Sequence, residues 1–293
     1  MPKILKVSIG SFFIGIIVFL IKYLAFHLTG SVALYSDALE NLVNIIASIA
    51  VIFAVKYSAK PADNKHHFGH YKAEYLSAVL EGVFIILTGF AILREAYIAF
   101  YVPRIIDVPF IGLMINSMAT IINGLWAVYL IRMGKKYRSP AIKADGHHIM
   151  SDFISSVGVA IGLVLAIVTG WMILDVILAV LVALNILWAG IKLVKDSVDG
   201  LMDAAPDVSE LNAIKDIINN NSKKAIEAHD IKVRRAGGAL FIDFHLVVDG
   251  KMTVKDSHDI CDELERNIER KFSKSHVNIH VEPEFKAKSP HRK

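Results

Sequence analysis

The chain has 293 residues, 54% of them hydrophobic, with a mean hydropathy of +0.49. Soluble domains are about 45–50% apolar and spread that content more evenly; here it falls in long blocks, which excludes an ordinary soluble enzyme and predicts a polytopic membrane protein with a soluble tail. The net charge of +4 comes partly from Lys and Arg at block edges and does not point to nucleic acid, while the single Cys261 excludes an internal disulfide framework and a Cys-type zinc site.

A helix needs about 20 mostly apolar residues to cross a hydrocarbon core of about 30 Å. Six segments qualify: 6–28, 32–57, 74–101, 109–132, 142–169 and 172–195. The first follows Met-Pro-Lys-Ile-Leu-Lys without an Ala-x-Ala-like cleavage site and reads as a retained span. The loop after the second span carries Lys56, Lys60, Lys65 and Lys72, and the loop after the fourth carries Arg132, Lys135, Lys136, Arg138 and Lys143. The alternate loops are nearly uncharged, so the positive-inside rule predicts both termini in the cytoplasm.

Two spans carry polar residues at helical spacing. The second holds Asp37, Glu40, Asn41, Asn44 and Ser48; the fifth holds Asp145, His148 and Asp152. Residues four apart share one helix face. Glu40 with Asn44, and His148 with Asp152, therefore point metal-type ligands in one direction at a depth where ionisable groups are costly and mark function. Hydrogen-bonded helix packing is the competing reading, strongest for Asn44. One imidazole, two carboxylates and an amide oxygen suit a borderline first-row divalent ion in tetrahedral geometry. With neutral His148 the two carboxylates balance a 2+ charge, and protonation of a ligand would release the metal. Asp37, Asn41, Asp145 and Glu81 could support the ligands from behind or line a proton path; for Glu81 a packing hydrogen bond is the alternative. Lys22 could snorkel to the membrane edge.

The loop after the second span reads Pro-Ala-Asp63-Asn-Lys-His66-His67-Phe-Gly-His70. Asp63, His66 and His70 are spaced as ligands of a small metal site, unless they are simply solvated. Beyond Asp203-Ala-Ala-Pro206 the composition changes. Residues 207–220 predict a helix, Ile231 and Val233 a strand, Gly237-Gly238 a turn, 240–248 a second strand, Ile260 to Ile268 a helix and Val277 to Val281 a third strand. The order is α-β-β-α-β, and a core of about 80 residues would benefit from self-association. His229, His245, His258, His280 and Glu282 could converge on one metal site there. Residues 285–293 are charged and predict disorder.

These stretches resemble the cation diffusion facilitator family, bacterial zinc/iron efflux type. The resemblance rests on Gly30 to Asn44, on Lys60-Pro-Ala-Asp63 through Phe68-Gly-His70-Tyr-Lys72-Ala-Glu74, and on Lys143-Ala-Asp-Gly-His-His148 through Ser151-Asp152. It implies an all-α six-helix transmembrane bundle, 1–203, followed by a cytoplasmic α+β metal-binding dimerisation domain, 204–284. It implies a transport site of Glu40, Asn44, His148 and Asp152, a loop site of Asp63, His66 and His70, a tail site of His229, His245, His258, His280 and Glu282, and a charge lock of Lys72 with Asp203. It also implies a homodimer in the lipid of a bacterial inner membrane, exporting a divalent metal against protons by alternating access; zinc leads, with iron(II), manganese, cobalt, nickel or cadmium as alternatives. Two departures bear on the metal. The family commonly has Asp or His and then Asp in the second span, where this chain has Glu40 and Asn44, and Glu282 replaces the usual Asp. A metal sensor or scaffold that transports little is a competing class, to which the neutral Asn44 gives support. An intramembrane metalloenzyme is another, but the chain carries no His-Glu-x-x-His motif.

Overall fold

The structure is a computed structural model describing residues 3–29, 32–101, 110–171, 173–222 and 224–288; several side chains inside helices, among them Asp37, Glu40 and Asp175, lie outside that description. It divides into two compact units, Met1–Val198 and Asp199–Lys293.

The first unit is helical: α1 (Lys3–Thr29), α2 (Val32–Ser58), α3 (Ala73–Tyr101), α4 (Phe110–Tyr137), α5 (Pro140–Thr169) and α6 (Ile173–Leu201). Over the described residues, α1, α3, α4 and α6 are each long and apolar enough to cross a membrane, and Asn44–Ser58 of α2 is a shorter apolar stretch. On α2 the polar residues Asn41 and Ser48 face the interior, each 4% exposed, while Ile46 and Phe53 are 62% and 66% exposed. A lipid-facing surface of this kind is what a membrane helix needs.

Helices α1, α2, α4 and α5 pack around Val7, Val51, Val55, Ala127, Leu130 and Ile142. Helix α3 lies against α5 and α2. It also approaches α6 closely at glycines: a Cβ on Gly82 would stand 2.6 Å from the Val194 side chain, and one on Gly190 would stand 2.8 Å from Ile86. Small residues permit such approach where no hydrophobic force drives helices together. Ser139 caps α5, accepting from the Ile142 amide at 3.4 Å, with Pro140 in the first turn where no amide is needed. Its hydroxyl also donates to Glu74, which accepts from Ser58 at 2.9 Å as well, so one buried carboxylate joins α2, α3 and α5. Lys22, read as a snorkelling residue, is instead buried at 4% exposure.

The second unit contains α7 (Val208–Asn221), β1 (Glu227–Ala236), β2 (Ala239–Val248), α8 (Val254–Lys271), β3 (Ser275–Pro283) and a 3-10 turn, Glu284–Lys286. The sheet order is β1-β2-β3, antiparallel then parallel. Ile214 and Ile218 of α7 and Ile260, Leu264 and Ile268 of α8 cover the face formed by Val233, Leu240, Ile242, Phe244 and Leu246. The order read from the sequence holds. Disorder over 285–293 does not hold at its start, since residues 284–286 form the turn; 289–293 lie outside the described residues.

Candidate metal centres

Within the bundle, α2 and α5 bring three of the four sequence-predicted ligands together. Asn44 Nδ2 donates to Asp152 Oδ2 at 2.6 Å, and Asn44 Oδ1 lies 2.8 Å from His148 Nε2. Because Asp152 can only accept when ionised, it fixes which way the amide points. The Asn44 oxygen then faces the ring, and Nε2 donates to it. Asp152 and His148 are 9% and 4% exposed. Glu40 stands one turn before Asn44 on α2, and its side chain, like that of Asp37, lies outside the described residues.

Two neighbours extend this group. Glu81 Oε2 on α3 lies 3.3 Å from His148 Nδ1. On the other side, Asp145 accepts from Ser11 Oγ of α1 at 2.7 Å, and Ser11 accepts from Trp126 Nε1 of α4 at 3.2 Å. Ser11, Asn41, Asn44, Ser48, Asn123 and Asp145 line an internal cavity with about 10 Å³ open to a water-sized sphere, room for about one water. The role of Asn44 as a bridge between His148 and Asp152 was not visible in its spacing.

The loop cluster forms outside the bundle. Asp63, His66 and His70 each offer a ligand atom, all within 4.8 Å of one another. The amides of Lys65 and His66 donate to Asp63 Oδ1 at 2.9 and 2.8 Å and hold its carboxyl below the usual range. Its other oxygen lies 3.4 Å from His70 Nε2. His70 is 6% exposed and packs edge-on against Tyr57, which anchors the loop to the end of α2. Gly69, at φ 79°, makes the turn that brings His70 back.

In the second unit His229, His245 and His280 stand side by side, one on each strand: His229 pairs with His245, and His245 with His280. Glu282, two residues further along β3, reaches across them. Its Oε2 lies 3.4 Å from His229 Nε2 and its Oε1 lies 3.3 Å from His245 Nδ1 and 3.8 Å from His280 Nε2. Glu227 Oε1 backs His229 Nδ1 at 3.2 Å. The row exists because of a bulge. Between His229 and Lys232 the register shifts, and Asp230 adopts φ 55°. One extra residue inverts the alternation. His229, which shares parity with the core residue Val233, therefore turns to the opposite face. Asp tolerates this left-handed conformation better than most residues, and the Lys232 ammonium at 3.6 Å holds its carboxyl below the usual range.

Not every expected ligand joins. His258 sits on α8, its side chain 73% exposed, with Nδ1 3.4 Å from Asp262 Oδ1. The helix covers the core face and the histidine row occupies the other; His258 lines a cleft between α8 and β3 whose lining also includes Glu282. Asp203 accepts from Arg234 Nη1 at 3.0 Å, a partner the sequence reading did not consider.

Comparison with known proteins follows the same division. A family model described as the cation efflux transmembrane domain matches residues 8–202, and one described as the cytoplasmic domain of cation efflux proteins matches 206–284. An uncharacterized transporter of Synechocystis sp. is 39% identical over 263 residues, covering 90% of this chain and 85% of its own length. The cation-efflux pump FieF of Serratia proteamaculans is 31% identical over 268 residues, covering 91% and 88%. A solved structure of CzrB in its Zn form shares 40% identity over 29% of this chain and 97% of its own, with a TM-score of 0.28.

Proposed function

The chain belongs to the cation diffusion facilitator family, and from that premise we propose that it exchanges a cytoplasmic divalent transition metal for protons by alternating access. It is an integral membrane protein for metal cation efflux, a transporter and not an enzyme, with a C-terminal domain of the dimer-forming type. In this reading α1 to α6 all span the inner membrane, both termini face the cytoplasm, and two copies work as a homodimer. The bundle carries transport, and residues from about 204 carry metal binding and pairing of the tails.

The observation that carries the proposal is the group of half-buried Asn44 with buried His148 and Asp152, joined at 2.6 and 2.8 Å across α2 and α5. Glu40, one turn earlier on α2, completes a set of four ligands for the substrate ion. The hydrogen bonds that join these side chains use the lone pairs a metal would use. Nε2 of His148 must release its proton before it can bind the ion, so metal and proton compete for one atom. That competition is the simplest basis for exchange. Zinc fits the tetrahedral one-nitrogen, three-oxygen set, and the oxygen-rich composition also accommodates iron(II), manganese, cobalt, nickel and cadmium.

The other two centres take supporting roles. Asp63, His66 and His70 would hold a metal beside the cytoplasmic end of α2. His229, His245 and Glu282, with His280, would hold one or more on the tail sheet: the donors are two to three imidazoles and a carboxylate that reaches them through both oxygens, a set suited to zinc. Bound there, the metal would tie the three strands and favour pairing of the tails. His258 of the same or a second copy, and a Lys72–Asp203 pair near the membrane, remain parts of this proposal drawn from the family resemblance.

The test is transport in proteoliposomes with an imposed pH gradient, offering zinc, iron(II), manganese, cobalt, nickel and cadmium in turn. Gradient-driven uptake that vanishes in Asp152→Ala is expected. Metal bound by the tail with no flux of any ion would instead support a sensor.

A further inference from the structure

We infer that Glu81 is a positioning residue of the transport site: through Nδ1 of His148 it fixes which ring nitrogen meets the metal and raises that nitrogen's affinity, without touching the ion itself. The inference rests on the reading of His148 as a ligand and adds to it a residue from a third helix.

Glu81 is 1% exposed, in a helix whose other buried positions near it are small or apolar: Ala78, Gly82 and Ile85. A carboxylate at such a site in a membrane bundle is expensive and calls for a use beyond packing. Its Oε2 lies 3.3 Å from Nδ1 of His148, while Nε2 of the same ring faces Asn44 and, through it, Asp152. The two nitrogens are thus assigned to different tasks. Among the described residues Glu81 Oε2 has no hydrogen-bond partner, so a hydrogen on Nδ1 turned toward it would satisfy this buried oxygen and leave Nε2 as the atom directed at the ion. A carboxylate on the far nitrogen of a ligating histidine orients the ring and makes the other nitrogen a stronger donor. This matters here because Asn44 brings no charge to the site.

The geometry around Glu81 is held firmly. Phe84, three residues on along the same helix, meets the His148 ring edge-on at 6.2 Å. Next to Glu81, Gly82 is pressed against Val194 and Gly190 of α6, where a Cβ would collide at 2.6 Å. Helix α3 therefore cannot slide or rotate cheaply, and neither can the carboxylate.

The experiment uses the full chain in lipid nanodiscs, in a background of Asp63→Ala and His245→Ala that weakens the loop and tail centres. Zinc affinity is compared for the background and for Glu81→Leu, Glu81→Gln, Glu81→Asp and His148→Ala. Glu81→Leu should weaken zinc binding about 10- to 100-fold, the usual range for such supporting groups. Glu81→Gln, which keeps an acceptor but no charge, should lose less, and Glu81→Asp should recover part of the loss. A second readout needs no variant: with cadmium-113 bound and nitrogen-15 in the histidines, coupling should appear at Nε2 of His148 and a proton should remain on Nδ1. Coupling at Nδ1 would overturn the inference even if Glu81→Leu did not fold. So would a folded Glu81→Leu that binds zinc within twofold of the background while His148→Ala has lost it. If His148→Ala itself keeps full affinity, it is the reading of the transport site that falls, and the inference with it.

Discussion

Replacing Asn44 with Asp changes one atom type and inverts the electrostatics of the bundle centre. At present Asn44 Nδ2 donates to Asp152 Oδ2 at 2.6 Å. In Asn44→Asp the donor becomes a second carboxylate oxygen. The lost hydrogen bond to a charged acceptor is worth about 1.5–3 kcal/mol. Two full charges at that separation repel by about 6 kcal/mol at an effective dielectric constant of 20, an upper bound that proton uptake or rotation of the new side chain would lower. In chelator the variant should therefore be less stable by about 2–6 kcal/mol. Zinc reverses the sign, because the added carboxylate is a stronger ligand than an amide oxygen and the ion screens the pair. Affinity should tighten by about tenfold, or 1.4 kcal/mol. The assay is denaturant unfolding of the detergent-solubilised chain with chelator and with zinc, alongside zinc titration. Equal stability in chelator together with unchanged zinc affinity would refute the role of Asn44 as the bridge between His148 and Asp152.

Two further predictions concern the regions outside the bundle. In the tail, Asp230→Val places a β-branched residue at φ 55°, costing on the order of 1–2 kcal/mol, and favours a register without the bulge in which His229 turns toward the core. Tail-bound zinc per chain should fall, whereas Asp230→Gly should keep it; metal analysis of the two purified variants decides, and equal zinc contents would show that the bulge does not set the site. In the loop, the Lys65 and His66 amides lower the Asp63 pKa from its ordinary value of 3.8. A depressed folded value means that the loop's ordering by these bonds is complete above pH 3.8 and is lost only as pH falls through the lower folded value. The Lys65 and His66 amide NMR shifts should titrate with a midpoint below 3.8; a midpoint at or above that value would mean the loop bonds are not made in solution.

What the sequence disclosed follows from the range of the interactions involved. Long apolar blocks locate helices, because each helix satisfies its own backbone. Their ends run further than the hydropathy, with α4 continuing to Tyr137 and α6 to Leu201, since Lys135, Lys136, Lys192 and Lys195 are good helix formers that need no lipid. Alternation located the tail strands, and local spacing located Asp63, His66 and His70. Parity is where pattern reading stopped. Ile231 and Val233 read correctly as inward residues, but nothing in the composition announces the extra residue at Asp230, and without it His229 belongs to the wrong face. His258 is carried by α8 and not by the sheet, so alternation along the strands could not relate it to the histidine row. The pairing of Glu81 with His148 was equally hidden. Periodicity shows which residues share a face within one helix, and not which faces of α3 and α5 meet.

The same packing gives a physical reason why exchange would be obligatory. Several polar groups of the bundle are hydrogen-bonded between helices: Ser11 with Asp145 joins α1 to α5, Asn44 with His148 and Asp152 joins α2 to α5, and Glu74 with Ser58 and Ser139 joins α3 to the ends of α2 and α5, while Glu81 Oε2 of α3 faces His148 Nδ1 of α5 at 3.3 Å. Any movement of α2 against α5 that opens the site must break the Asn44 bonds, and each polar group left unsatisfied away from water costs about 1–3 kcal/mol, more where it is charged. A divalent ion bound by the same atoms removes that cost, and so do protons on His148 and a carboxylate. A site with neither would have to cross with at least an ionised Asp152 and its partner exposed to hydrocarbon. In the proposed exchange, the barrier against that empty crossing would be set by the ligands themselves, and it would keep metal movement tied to proton movement.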